Sequence, residues 1–451
     1  MQTTLSPEDL SAPVERLRAA NEAFARQYPG EGGARQPVHT VYGGAQLFRS
    51  DSTVKLGQVA RRALDDYAPD AATLARALGI AGGDFAERVY TRVAEKLGRE
   101  PVEDFRIDFE DGYGNRPDAE EDGHAQSVAR EVAKGLAEGT LPPFLGIRVK
   151  TLSEELRGRS TRTLDLFLTT LVEATGGVLP PNFVLTAPKV ALPEQVEYFA
   201  AVLQALEPRL GLADGALRFE IMVEVPQAII GADGRCMLPE LVRAGGGRIT
   251  AAHFGTYDYT AGVGITAAHQ HMRHLACDHA KHAMQVSLAG TGVWLSDGST
   301  TVMPVPVHRA AAGATLTAGQ VAENRAGVHR AWKLHYDDAR HSLVNGFYQG
   351  WDLHPAQLVT RYAAVFAFFL ESVDSAGARL KNFVEKAAQA TLVGDVFDDA
   401  ATGQGLLNYF LRGLNCGALT EREALEMTGL TLDELRGRSF LKILNGRGAR
   451  G

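Results

Sequence analysis

An α/β fold, a closed (β/α)8 TIM barrel, is predicted by three features of this chain. Eight short apolar, β-rich segments can be marked along it; most gaps between them carry apolar residues three and four apart; and glycines recur at the junctions. Strand–helix alternation on this scale implies βαβ units and a parallel sheet, and eight such units close into a barrel.

The predicted strands are 38–42, 105–109, 144–149, 183–187, 218–223, 250–254, 292–296 and 343–347. Helical spacing fills Thr161–Thr175, Glu194–Ala205, His269–Leu288 and Ala318–His335. The gap between the first two strands is long and holds two further helices, about 56–66 and 83–97, so an insertion follows the first strand. Beyond residue 354 only helical patterns remain, through Leu444, and the tail from Gly446 is expected to fray. The expected organisation is an N-terminal helical segment over 1–36, the barrel with its site over 37–353, and a C-terminal helical extension over 354–451. No internal repeat is visible.

Composition agrees with one large barrel plus an appendage. Hydrophobic residues make up 45% and charged residues 22% of the 451, as in ordinary globular proteins. A net charge of −8 speaks against a nucleic-acid or anionic-membrane surface. No apolar run reaches the ~20 residues needed to span a bilayer. The first residues lack the basic and apolar regions of a secretion signal. Cys236, Cys277 and Cys416 are odd in number and share no close spacing, which argues against a disulfide framework or zinc knuckle. The chain reads as cytoplasmic, with a small molecule as its partner.

Two acidic residues carry the strongest chemical signal. Glu224 and Asp258, 34 residues apart, each end a strand-like apolar run. A carboxylate at the carboxyl end of a buried strand must face a ligand, a cation or water, because apolar surroundings penalise its charge by several kcal/mol. Two on neighbouring parallel strands form half of an oxygen-ligand site for a hard divalent cation, Mg²⁺ or alternatively Mn²⁺. About four octahedral positions would remain for water and substrate, enough to chelate a 2-oxo acid and stabilise the enolate formed when its neighbouring bond breaks. Membership of a buried ion pair is the alternative for either residue.

Other polar residues fall at the same predicted rim. The second strand runs into Asp108, Glu110 and Asp111, which repel one another unless a cation, an arginine or water compensates; a solvated acidic turn is the alternative. Asp108 and Glu110 share parity. Arg148 ends the third strand, where its planar fork suits a substrate carboxylate, or equally an ion pair with a strand-two acid. Lys189 follows the fourth strand. His269, His271, His274, His279 and His282 crowd one predicted helix, read as a solvated or partner-facing surface, and Cys277 is read as core.

In order, these positions resemble the HpcH/HpaI aldolase and citrate lyase β-subunit superfamily, phosphoenolpyruvate/pyruvate-type barrels related to malate synthases. Asp108-Phe109-Glu110-Asp111 is similar to that family's Asp-Leu-Glu-Asp segment. Ile147-Arg148-Val149 resembles its strand with the substrate-binding arginine, with Lys150 where asparagine is usual. Thr186-Ala187-Pro188-Lys189-Val190 resembles its Pro-Lys strand. Met222-Val223-Glu224-Val225 resembles the strand with the metal-binding glutamate, and Phe254-Gly255-Thr256-Tyr257-Asp258 its Gly-x-x-Asp motif with the metal-binding aspartate. Gly346 to Gln357 resembles Gly-Phe-x-Gly-Lys-x-x-Ile-His-Pro-x-Gln, with Gln349-Gly350 in place of Gly-Lys.

The resemblance implies metal ligation by Glu224 and Asp258, and substrate binding by Arg148, Lys189, Gly255 and Thr256. Asp108, Glu110 and Asp111 would orient Arg148 or metal-bound waters. The expected activity is a Mg²⁺-dependent carbon–carbon lyase or aldolase acting on a 2-oxo acid, a related carboxylic acid, or a coenzyme A thioester. Two alternatives stand beside it: malate-synthase-like condensation, with the C-terminal helices capping the mouth and supplying the base, and a non-catalytic acid-binding subunit of a lyase complex. For that base, none of Asp374, Asp395, Asp398 and Asp399 matches the malate synthase motif. A homo-oligomer is expected.

Overall fold

In the computed structural model, residues 4–30, 32, 34–311, 313–385, 391–393, 396–398, 400–437 and 443 are described. Eight parallel strands close in chain order: β1 His39–Gly44, β2 Asp104–Asp108, β3 Phe144–Arg148, β4 Phe183–Ala187, β5 Arg218–Val223, β6 Ile249–Phe254, β7 Trp294–Ser299 and β8 Gln349–Asp352. Pairing of β1 with β8, Val41 beside Asp352, seals the cylinder.

Alternation along each strand sorts the side chains. On β2, Phe105 and Ile107 join the hydrophobic shell beneath the outer helices, whereas Asp104, Arg106 and Asp108 face the barrel's interior groups. That interior is polar and paired. The Arg106 guanidinium meets Asp104 on one side; on the other its Nη2 donates to Glu220 at 2.7 Å and its Nε to Thr186 at 3.2 Å. Glu220 also stands 3.0 Å from His253 Nε2, while Trp351 Nε1 donates to His253 Nδ1 at 3.3 Å. Burial pushes the Glu220 carboxyl up, but Arg106 and His253 outweigh it and hold it below the usual carboxylate range.

Several expectations need correction. The eighth strand is Gln349–Asp352, not 343–347: the helix Ala318–Val344 runs through the first part of that apolar segment, and Gly346, at φ +82°, turns the chain. Three helices, Ser52–Tyr67, Ala71–Leu78 and Asp84–Arg99, occupy the insertion, where two are expected; the extra one is only eight residues long. The histidine-rich helix begins at Leu275. His269 lies in a 3-10 turn, His271 in a loop, and His274 caps the helix by accepting from the Ala276 N–H, which leaves His279 and His282 within it.

After β8, Gln357–Leu370 is buried almost throughout, packed against Ala318–Val344 and Asp84–Arg99. The helices Val373–Glu385, Ala400–Asn415, Glu421–Thr428 and Leu432–Arg436 follow. The region is not wholly helical, since Thr391–Val393 pairs antiparallel with Val396–Asp398. Leu444 and the tail from Gly446 lie outside the described residues. These helices gather at the amino end of the barrel. Arg412 lies 3.9 Å over the Tyr348 ring just before β8, and Arg92 bonds the Ala418 carbonyl and Glu423.

His39, fully buried on β1, provides a test of this core. Its Nε2 accepts from the Glu103 N–H at 3.0 Å and its Nδ1 lies 3.6 Å from Asp352. Burial lowers its pKa from 6.5 to about 4, with Asp352 and Glu103 opposing. The unfolded chain therefore takes up a proton first as pH falls, so the contribution of His39 is complete above 6.5 and is lost between 6.5 and 4. Relative to His39→Gln, the wild-type protein should lose roughly 3 kcal/mol of unfolding free energy across that window. A pH-independent difference in urea denaturation would contradict this.

Candidate active site

At the carboxyl ends of the strands lies a cavity of about 390 Å³, lined among others by Asp108, Asp111, Arg148, Glu224 and Asp258. This is the face where parallel barrels place their chemistry. A hollow of about 500 Å³ lies at the opposite end, bordered by Gln36, Trp294, Tyr348, Asn408 and Arg412, and among the described residues no acid lines it.

Arg148 is held from two sides. Its Nε and Nη2 donate to the two Asp108 oxygens at 2.7 and 2.6 Å, its Nη1 lies 3.1 Å from Glu110, and it stacks 4.8 Å from the Tyr42 ring. The ion-pair reading of Arg148 is thus realised. Asp108 in turn accepts the Glu110 and Gly112 N–H groups, which folds the acidic segment into a tight turn. Lys189 has a left-handed backbone, φ +50°, and sends its ammonium to Glu110 at 2.6 Å, Asp111 at 3.2 Å and Asp258 at 3.7 Å. Burial opposes that charge, yet the surrounding acids, Glu110 foremost, raise its pKa.

Glu224, just past β5, is 2% exposed and accepts the Lys189 N–H at 2.8 Å. Burial pushes its pKa up to about 8 despite Arg148 and Lys189, and Asp258 and Glu110 add to the rise. Asp258 does not end a strand. β6 stops at Phe254, Gly255 turns the chain, and Asp258 sits in the first turn of the helix Thr256–Gly262, 44% exposed. It nevertheless borders the same cavity as Glu224. Gly255 is required by contact: a Cβ there would lie 2.4 Å from Glu224 Oε2. Gly255→Ala should therefore displace the Glu224 carboxylate and, if Glu224 holds a divalent cation, weaken its binding about tenfold or more, measured by isothermal titration; unchanged affinity would remove Glu224 from the ligand set.

Two departures from the motifs this sequence resembles acquire structural reasons. Lys150 is buried, donates to the Phe109 carbonyl at 2.7 Å and lies 3.0 Å from Glu121, tying the acidic turn to the helix Asp118–Glu138. A Cβ on Gly350 would lie 2.9 Å from the Arg361 guanidinium, which pairs with Asp352, so that space is taken.

Sequence reasoning missed Tyr42, Tyr257 and Trp351 as cavity walls. Strand parity could have found Tyr42, which follows Thr40 on inward positions of the first expected strand; Trp351 lies on β8, which the sequence reading placed elsewhere. The Thr256 hydroxyl is buried at the cavity wall without a hydrogen-bond partner. Among the described residues, no group of three or more His, Cys, Asp or Glu side chains forms a ready metal cage. No helix among them is long and apolar enough to cross a membrane. The Asp374 side chain is exposed on Val373–Glu385; Asp395 and Asp399 lie outside the described residues.

A family model described as "Domain of unknown function (DUF6986)" matches residues 17–443. The chain belongs to that family. No curated protein matches this DUF6986 chain significantly. Among solved structures, a citrate lyase from Burkholderia xenovorans LB400 is 19% identical, with a TM-score of 0.54 over 77% of this chain and 94% of that one. A malate synthase from Haloferax volcanii is 15% identical, with a TM-score of 0.46 over 89% of this chain and 96% of that one. A citrate lyase β subunit from M. tuberculosis, complexed with oxaloacetate and magnesium, is 14% identical, with a TM-score of 0.37 over 74% and 98%. What the DUF6986 chain shares with the Burkholderia protein is the fold.

Proposed function

We propose that this DUF6986 member is a Mg²⁺-dependent carbon–carbon lyase of the aldolase or citrate lyase kind, acting on a 2-oxo acid or a related carboxylic acid or acyl thioester. One observation carries the reading: Glu224, a buried carboxylate at the barrel mouth, shares a cavity with Asp258. Five carboxylates there, Asp108, Glu110, Asp111, Glu224 and Asp258, face two cations, Arg148 and Lys189. Such an excess of hard oxygen donors fits a divalent cation.

Glu224 and Asp258 would hold that ion, with Asp111 at the exposed edge of the same cavity. When bound, it would supply positive charge to offset the charge that develops on the substrate's carbonyl oxygen as the adjacent C–C bond breaks. Arg148, locked by Asp108 through Nε and Nη2, would receive a substrate carboxylate at Nη1 in exchange for Glu110, which holds that nitrogen at 3.1 Å. Thr256 borders the cavity beside Asp258, while Tyr42 and Trp351 form the apolar walls. Condensation with a base from this chain's own C-terminal helices has less support, because the described ones gather at the other end of the barrel.

The test combines Mg²⁺ with pyruvate, oxaloacetate, glyoxylate and acetyl-CoA in turn. Selective binding at a hundredfold excess over Kd should stabilise the protein by about 2.7 kcal/mol. Release of a 2-oxo acid from hydroxy-acid or acyl-thioester substrates should stop on adding a chelator. Failure of every acid to stabilise, together with chelator-insensitive or absent turnover, would refute the reading; glyoxylate-dependent release of coenzyme A would favour condensation.

A further inference from the structure

The helix Pro7–Gln27 stands apart from the barrel. Every side chain from Glu8 to Gln27 is exposed, and among the described residues its side-chain hydrogen bonds and ion pairs are internal, such as those of Arg18 with Glu15 and Glu22. Only past its end does the chain dock, where the Gly30 N–H donates to the Gly290 carbonyl at 2.8 Å. Helices in proteins draw most of their stability from packing an amphipathic face, and within this chain Pro7–Gln27 has none packed. Yet it begins with a capping box, Ser6 with Asp9, and carries a regular apolar stripe.

Leu10, Val14, Leu17, Asn21 and Phe24 follow at intervals of 4, 3, 4 and 3 residues within the helix. That is a heptad seam, with Val14 and Asn21 at a and Leu10, Leu17 and Phe24 at d. Val14, Leu17 and Phe24 are 54%, 61% and 64% exposed, so the stripe is uncovered within one chain. β-Branched valine at a with leucine at d favours two parallel strands, and a single asparagine at a fixes register and number by meeting its own copy. The flanking positions are compatible: in a parallel pair Pro13 would face Arg18 and Ala20 would face Ala25, with no like charges opposed. Pro13 lies off the seam but inside the helix, at its seventh residue, where it removes one i→i−4 hydrogen bond and bends the axis locally.

We propose that Pro7–Gln27 pairs with the same helix of a second copy of this chain as a parallel two-stranded coiled coil, making the protein a dimer through an element outside the barrel. Light scattering on the full-length protein should give twice the 48.4 kDa chain mass. Leu17→Asp with Phe24→Asp should halve it, with the barrel's thermal unfolding unchanged, whereas Glu15→Ala should leave it at two chains. Asn21→Cys, placed in a Cys236→Ser background because Cys236 is exposed, should form an interchain disulfide under mild oxidation. The proposal is overturned by a monomeric wild type, by a trimer or larger assembly, by a dimer that survives the double aspartate variant, or by failure of Asn21→Cys to cross-link.

Discussion

Replacing Asp258 by alanine should lower turnover by about a thousandfold or more and abolish measurable Mg²⁺ binding, while the barrel remains folded. The magnitude follows from the several kcal/mol that a Lewis acid contributes to a developing oxyanion, at about 1.4 kcal/mol for each factor of ten. The folded state should tolerate the change because Asp258 is 44% exposed and its ionic partner is Lys189 at 3.7 Å. Circular dichroism and thermal unfolding check the fold; calorimetric titration and steady-state kinetics check the site. Full activity with unaltered cation affinity would end the metal assignment. Lys189 would lose one neighbour but keep Glu110 and Asp111, so a general collapse of the acidic cluster does not explain a loss.

Arg106→Met should destabilise the protein by about 3–5 kcal/mol, the scale for removing one member of a buried ion pair. Arg106 is 1% exposed and neutralises Asp104 and Glu220, both inside the barrel. Without it two carboxylates remain in a site from which water is excluded, and one must take up a proton or the barrel must open. Urea denaturation at pH 7 measures the loss. Should the variant fail to accumulate, Arg106→Met combined with Asp104→Asn and Glu220→Gln should recover much of the stability, because the uncompensated charges are then gone. A loss below about 1 kcal/mol, or no recovery in the combined variant, would show that the network contributes little.

Much of the barrel was legible because a parallel strand buried on both faces is a nearly continuous apolar run, as in Phe183-Val184-Leu185-Thr186-Ala187. β8 was not, since Gln349-Gly350-Trp351-Asp352 is polar and short, and the more apolar Leu343–Phe347 beside it belongs to a helix end and a turn. The candidate site was legible as residue types at strand ends. Its internal pairings were not: whether Arg148 faces a ligand or Asp108 depends on β2 and β3 lying side by side in register, Asp108 beside Arg148. Lys150 looked like a departure at the rim and is a buried tie between a turn and a helix, which no local pattern encodes.

The amino-acid order by itself determined the alternation of strand and helix, the set of acids and cations available at the strand ends, and the heptad spacing of the N-terminal helix, because periodicity and residue chemistry are local properties. Only the tertiary structure decided which charges neutralise which, where the C-terminal helices lie, and that Asp258 approaches Glu224 from a helix rather than a strand. Those outcomes depend on distances between segments far apart in the chain, and on how burial alters the cost of each charge once barrel closure has excluded water.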